Sequence, residues 1–160
     1  MEIKERFDPG ADREKSPHHK YHVHIDGEVV EMGTRYPTGE QLLGKVGKRS
    51  CAFELIEELQ HHENDVVEPD ETVDLEKHGL KGFITAHKEV VTIFIDGNPY
   101  SIDRGERTVS EILAKVGETA EGYVLLEEKS GPRLPLPPDQ PVNISGCEIF
   151  HSQVQSGSSS

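Results

Sequence analysis

Tyr21-His22-Val23-His24-Ile25-Asp26-Gly27 is answered by Val91-Thr92-Ile93-Phe94-Ile95-Asp96-Gly97, a shift of 95 − 25 = 70 positions. In each stretch apolar residues at 21, 23 and 25, or at 91, 93 and 95, alternate with the residues between them, the period of a half-buried strand. The Asp-Gly pair that ends each stretch favours a tight hairpin, because glycine reaches positive φ cheaply. A short second strand is expected at about Val29 to Met32 and Pro99 to Ile102. Thr38-Gly39-Glu40-Gln41 and Thr108-Val109-Ser110-Glu111 then fit a capping box, so a helix should start at each threonine. Leu42, Leu43 and Val46, matched by Ile112, Leu113 and Val116, form one apolar stripe, expected to be buried. Gly47 and Gly117 supply the stop.

The shift of 70 also carries Lys45-Val46-Gly47 onto Lys115-Val116-Gly117, Phe53 onto Tyr123, Leu55 onto Leu125 and Glu57-Glu58 onto Glu127-Glu128. Farther on, Pro69-Asp70 answers Pro138-Asp139 and Val73-Asp74-Leu75 answers Val142-Asn143-Ile144, at 138 − 69 = 69. Phe83 answers Phe150 at 150 − 83 = 67, so the second copy is shortened in loops, where deletions are tolerated. Third strands are expected near Phe53 to Leu59 and Tyr123 to Glu128, and last strands near Gly82 to Thr85 and Glu148 to Ser152. The repeat predicts two small cores rather than one. Each is one helix packed across one curled sheet.

Element order, the Ile-Asp-Gly hairpins, the threonine-led helices ending Lys-Val-Gly, the Pro-Asp loops and the final Phe strands together resemble the ubiquitin-like β-grasp superfamily. The tandem form resembles the bacterial multiubiquitin proteins, over roughly Lys20 to Gln153. The implied fold is α+β, two tandem ubiquitin-like β-grasp domains, each one helix on a mixed sheet. Residues 1–19 read as a flexible leader, 20–86 as the first domain, 90–152 as the second and 153–160 as a mobile C-terminal tail. A linker of about Ala86 to Glu89 joins the domains.

The resemblance implies a non-enzymatic protein modifier. Its partners would be a ubiquitin-activating-like enzyme that adenylates the tail, a ubiquitin-conjugating-like enzyme, and a processing or deconjugating peptidase. A tail of this kind must be slim, and glycine suits a narrow enzyme channel. There is no terminal Gly-Gly, a departure from the ubiquitin pattern; Gly157 is the tail's one glycine. Either Ser158 to Ser160 are removed first, or the Ser160 carboxylate is itself activated, or the segment is an end without function. Two other classes stand beside the modifier: a non-conjugated tandem adaptor, and a sulfur carrier like those of thiamin or molybdopterin synthesis. The bare Gly-Gly ending and single domain usual in such carriers argue against the last.

Phe94 falls on the outward phase of its strand, where Val124 or Leu126 can join it. An apolar patch there is either a partner site or packing between the domains. His18, His19, His22 and His24, with Asp26, read either as exposed leader and strand residues or as a metal cluster; no second ligand group lies at a characteristic spacing, and no metal or cofactor is expected. No nucleophile with base, phosphate loop or supported carboxylate pair is present to suggest catalysis.

The net charge of −13, from 30 acidic against 17 basic side chains, opposes binding to nucleic acid or an anionic membrane and points to basic partner surfaces. No apolar run approaches the roughly 18 residues that span a bilayer, and Met1-Glu2-Ile3-Lys4-Glu5-Arg6 lacks the apolar core of a secretory signal, so a cytoplasmic protein is expected. Cys51 and Cys147 stand in no metal or redox spacing and read as ordinary thiols of a reducing compartment.

Overall fold

The computed structural model describes residues 19–129 and 131–155. It is α+β, with two five-stranded mixed sheets, a two-stranded ribbon and two short helices among the described residues. By its contacts the chain divides into two units. One comprises the described residues up to Lys48 with Glu54–Ala86; the other comprises Arg49–Phe53 with the described residues from His87 on.

In the first unit β1 (Tyr21–Ile25) turns into β2 (Glu28–Met32), helix α1 (Gly39–Lys45) follows, and β3 (Phe53–Leu59), β4 (Asp65–Val67) and β5 (Leu80–His87) complete a sheet of order β2-β1-β5-β3-β4. β1 and β2 are antiparallel, while β1 and β5 run parallel with Ile25 beside Phe83. Val23, Ile25, Leu42, Leu43, Leu55 and Phe83 are buried.

In the second unit β6 (Val90–Ile95) turns into β7 (Asn98–Asp103), followed by β8 (Gly105–Arg107), α2 (Val109–Ala114), β9 (Tyr123–Glu128), β10 (Leu134–Pro135), β11 (Val142–Ile144) and β12 (Ile149–Val154). The sheet order is β10-β9-β12-β6-β7, with β12 parallel to β6 and Phe150 beside Ile95; β8 and β11 form the ribbon. Val91, Ile93, Ile95, Ile112, Leu113, Leu125, Ile144 and Phe150 make its core.

Both helices are fixed at their ends by the signals in their sequence. The Thr38 hydroxyl accepts from the Gln41 amide (3.1 Å) and the Thr38 amide donates to Gln41 Oε1 (2.9 Å); Thr108 and Glu111 repeat this at 3.1 and 2.7 Å. At the other end Gly47 and Gly117 take φ of 74° and 75°, and the amides of Lys48 and Glu118 reach back to the carbonyls of Leu43 and Leu113. That six-to-one bond ends a helix once glycine supplies the left-handed residue. Val46 and Val116 sit at these last turns and are half-buried rather than buried, since the stripe there passes the edge of the core.

The repeated Asp-Gly does more than turn the chain. Asp26 Oδ1 accepts from the Thr85 amide (2.8 Å) and Oδ2 from the Thr85 hydroxyl (2.7 Å), while Asp96 holds Ser152 in the same way at 3.1 and 2.7 Å. Each aspartate thus ties its hairpin to the final strand of its sheet. Burial acts to raise the Asp26 pKa, but the hydrogen bonds from Thr85, with Lys48 Nζ at 3.2 Å, outweigh it and hold the carboxyl below its ordinary value of 3.8. A carboxyl whose folded pKa is depressed stabilises the fold above its unfolded pKa and loses that contribution as pH falls through the folded value. Asp26→Ala is therefore expected to cost about 1–2 kcal/mol at pH 7, partial solvent screening included. Urea unfolding of both proteins should show the gap narrowing below about pH 3.8; a gap that stayed constant to pH 2 would show that ionisation of Asp26 contributes nothing.

Further expectations are corrected. Cys51 and Cys147 are not thiols but a disulfide, with Cα atoms 5.2 Å apart, because residues 49–53 pack with the second unit rather than the first. The final strands are longer than expected: β5 continues to His87, leaving Lys88 and Glu89 before β6, and β12 continues to Val154. Gln155 is also bonded, its amide donating to the Gly122 carbonyl (3.0 Å) and its side chain to the Ala120 carbonyl (2.8 Å). The short strands β4, β8, β10 and β11 lie in segments where no strand was expected. No helix among the described residues is long and apolar enough to cross a membrane.

Candidate functional site

β12 is the middle strand of the second sheet, flanked by β9 and β6. Phe150 points into the core, so its neighbours Ile149 and His151 point to the other face. In register, Phe94 lies beside Ile149 and Ile149 opposite Glu128; Leu126 lies opposite His151 and Val124 opposite Gln153. Phe94, Val124 and Leu126 therefore share the outer face, as their alternation suggested, but β12 separates Phe94 from the other two. All three are half-buried.

Ile149 and His151, absent from the sequence reading, fill the gap between them. Ile149 continues the apolar surface of Phe94, and His151 sets a polar group in the middle of the face. Its Nε2 lies 2.7 Å from Glu128 Oε1 and its Nδ1 3.9 Å from Asp96 Oδ1. The hydrogen bond with His151, aided by Arg133 at 3.6 Å, holds the Glu128 carboxyl below its ordinary range. The face is thus apolar at two sides with a polar, hydrogen-bonded centre. The signal that could have found these residues is the alternation around Phe150 in the last strand.

Of the other expected sites, Gly157, Ser158 and Ser160 lie outside the described residues, as does His18. His22 and His24 are exposed, with His22 Nε2 3.3 Å from Glu31 Oε2. Among the described residues no group of His, Cys, Asp and Glu gathers to hold a metal. The position that leads to the tail has a counterpart in the first repeat: the Lys88 amide donates to the Ala52 carbonyl as the Gln155 amide does to Gly122.

Residues 21–88 match the family model described as multiubiquitin. This segment belongs to the multiubiquitin family. The multiubiquitin segment, which is ubiquitin-like, runs from the first residue of β1 to Lys88, the residue that bonds Ala52. No curated protein matches the chain.

Proposed function

We propose that the chain is a bacterial ubiquitin-like protein modifier built from two β-grasp domains in tandem, residues 20–86 and 90–152. A cytoplasmic adenylating enzyme activates it beyond Gln155, and a conjugating enzyme then attaches it to targets. The observation that carries this reading is the multiubiquitin match over residues 21–88, together with a second sheet whose strand order, hairpin, helix caps and aspartate clamp repeat those of the matched segment. The chain itself catalyses nothing in this scheme. A processing or deconjugating peptidase completes the set of partners.

Beyond Gln155 the sequence is Ser156-Gly157-Ser158-Ser159-Ser160, in which no side chain is larger than that of serine. Such a segment suits a narrow channel, and its carboxylate would attack the α-phosphate of ATP, releasing pyrophosphate, before the acyl group passes to an enzyme thiol. The outer face around Phe94, Ile149, Val124 and Leu126 is the partner-docking surface. The first domain runs through Lys88 and Glu89 directly into β6, too short a passage to thread a channel, so it acts as an added recognition surface. A cytoplasmic setting supplies the ATP; the Cys51–Cys147 disulfide is the feature that pulls the other way.

The test incubates the full chain, and a form ending at Gly157, with a genomically neighbouring adenylating enzyme and ATP, following adenylate and thioester by intact mass. Reaction of the shortened form alone establishes processing at Gly157, and reaction of the full chain alone places the carboxylate on Ser160. If both bind the enzyme and neither reacts, the modifier reading fails and a non-conjugated adaptor takes its place.

A further inference from the structure

Gly131-Pro132-Arg133-Leu134-Pro135-Leu136-Pro137-Pro138 carries four prolines in eight residues. Each proline fixes its own φ at about −65° and keeps the residue before it in the extended range. Gly131, Leu134, Leu136 and Pro137 are those preceding residues, so nearly the whole stretch is held extended before any partner arrives. Two dipeptides ending in proline, Leu134-Pro135 and Pro137-Pro138, stand one polyproline turn apart, at about three residues per turn.

The structure anchors one side of this stretch and leaves the rest open. Leu134–Pro135 is the edge strand β10, paired on its inner side with β9. Leu136 is half-buried against the second core, and its amide donates to the Leu125 carbonyl at 2.8 Å. Arg133 Nε lies 3.6 Å from Glu128 Oε1. Residues 133 and 136 are therefore the row that holds the stretch to its unit. The other two rows, Pro132, Pro135 and Pro138 with Leu134 and Pro137, are exposed, Leu134 to 57%.

An edge strand must be blunted against pairing with other chains, and proline, which has no N–H to offer, serves that purpose. This accounts for Pro135 alone. It gives no reason for Pro137-Pro138 one turn later, outside the strand. The first unit guards its own edge strand β4 with charge: at the shift of 69 its residues are Glu63-Asn64-Asp65-Val66-Val67-Glu68, without proline. The charge of the second edge is reversed as well. From Lys129 to Pro138 the charged residues, Lys129 and Arg133, are both basic, in a chain of net charge −13.

We infer that residues 132–138 are a docking ligand for a partner domain whose groove is lined by aromatic rings and bordered by carboxylates. Leu134-Pro135 and Pro137-Pro138 enter two neighbouring aromatic slots, and Arg133 meets the acidic border. Because the stretch is already extended and anchored through Leu136, little ordering entropy opposes the docking. The surface is separate from the tail, so it stands whether or not the chain is activated beyond Gln155.

The isotope-labelled full chain is passed over immobilised SH3, WW and EVH1 domains, which read extended proline-rich ligands in aromatic grooves. Each domain that retains it is then titrated while backbone amides are followed by NMR. Retention by at least one domain is expected, with saturable shifts at Arg133, Leu134 and Leu136 and none at Phe94 or Ile149. Pro138→Ala, outside the strand, and Pro135→Ala should each weaken binding about tenfold or more, the loss of one anchored contact. Unchanged shifts at Ile93 and Phe150 will show that the variants keep their core. Arg133→Gln should weaken binding at low salt and less at high salt, whereas Pro69→Ala in the first unit should leave affinity as it is. Retention by none of the domains, shifts centred on Phe94 and Ile149 instead, or an affinity unmoved by Pro135→Ala, Pro138→Ala and Arg133→Gln overturns the assignment.

Discussion

Phe150→Ala is expected to remove about 3–5 kcal/mol from the second unit, a loss that combines the apolar transfer of the ring with the cavity left behind. The ring is fully buried on the middle strand of its sheet, so no surface loop can collapse into the space. A unit of this size has a total stability of only about 3–10 kcal/mol, so the variant should populate an unfolded second unit at 25 °C. Its effect should be local. Hydrogen exchange is expected to lose protection at Ile93 and Leu125 while Ile25 and Leu55, in the other core, keep theirs. Phe83→Ala should produce the converse pattern. Loss of protection in both units from either substitution would refute the reading of two tandem domains with separate cores.

What could be read in the sequence was whatever is local and repeated. Thr38 with Gln41, Thr108 with Glu111, the Asp-Gly turns and Gly47 or Gly117 act within six residues, and each appears in the structure where the pattern put it. The matched register placed Phe94, Val124 and Leu126 on one face because strand alternation fixes sidedness. It did not reveal that β12 passes between them, since strand order is a property of the sheet and not of any one strand. The clamps of Asp26 on Thr85 and Asp96 on Ser152 span 59 and 56 residues. Only the recurrence of Asp with a hydroxyl residue in the last strand hinted at them. The divergent positions were least legible: the shift of 70 places Glu121 where the first repeat has Cys51, and the shift of 67 places Cys147 where it has Leu80, so the repeat offers no reason to pair the two cysteines.

That pairing carries the second large effect. Replacing Cys51 and Cys147 by alanine is expected to cost the second unit about 2–4 kcal/mol, because the bond closes a loop with a sequence separation of 96. The upper part of the chain-entropy range does not apply, since Glu54–Ala86 folds in the other unit and already shortens the effective loop. For a unit of this size the change should lower the thermal midpoint by about 10 °C or more. The bond also secures a docked segment: the amides of Lys88 and Thr92 donate to the carbonyls of Ala52 and Cys51, both at 2.9 Å, and Cys147 donates to Thr92 at 2.7 Å. Fast exchange at Lys88 and Thr92 should therefore accompany the lower midpoint. Gly146→Ala separates the two contributions. A Cβ there would meet the Ala52 Cβ at 2.7 Å with φ at 113°, so the segment must shift although both cysteines remain. If docking of residues 49–53 contributes, Gly146→Ala alone should expose the Lys88 and Thr92 amides; if the crosslink alone matters, those amides stay protected until the protein is reduced. A fragment beginning at Glu89, lacking both the cysteine and the two carbonyls, should be less stable than either variant. Full native protection of Thr92 in that fragment would show that the second unit does not need residues 49–53.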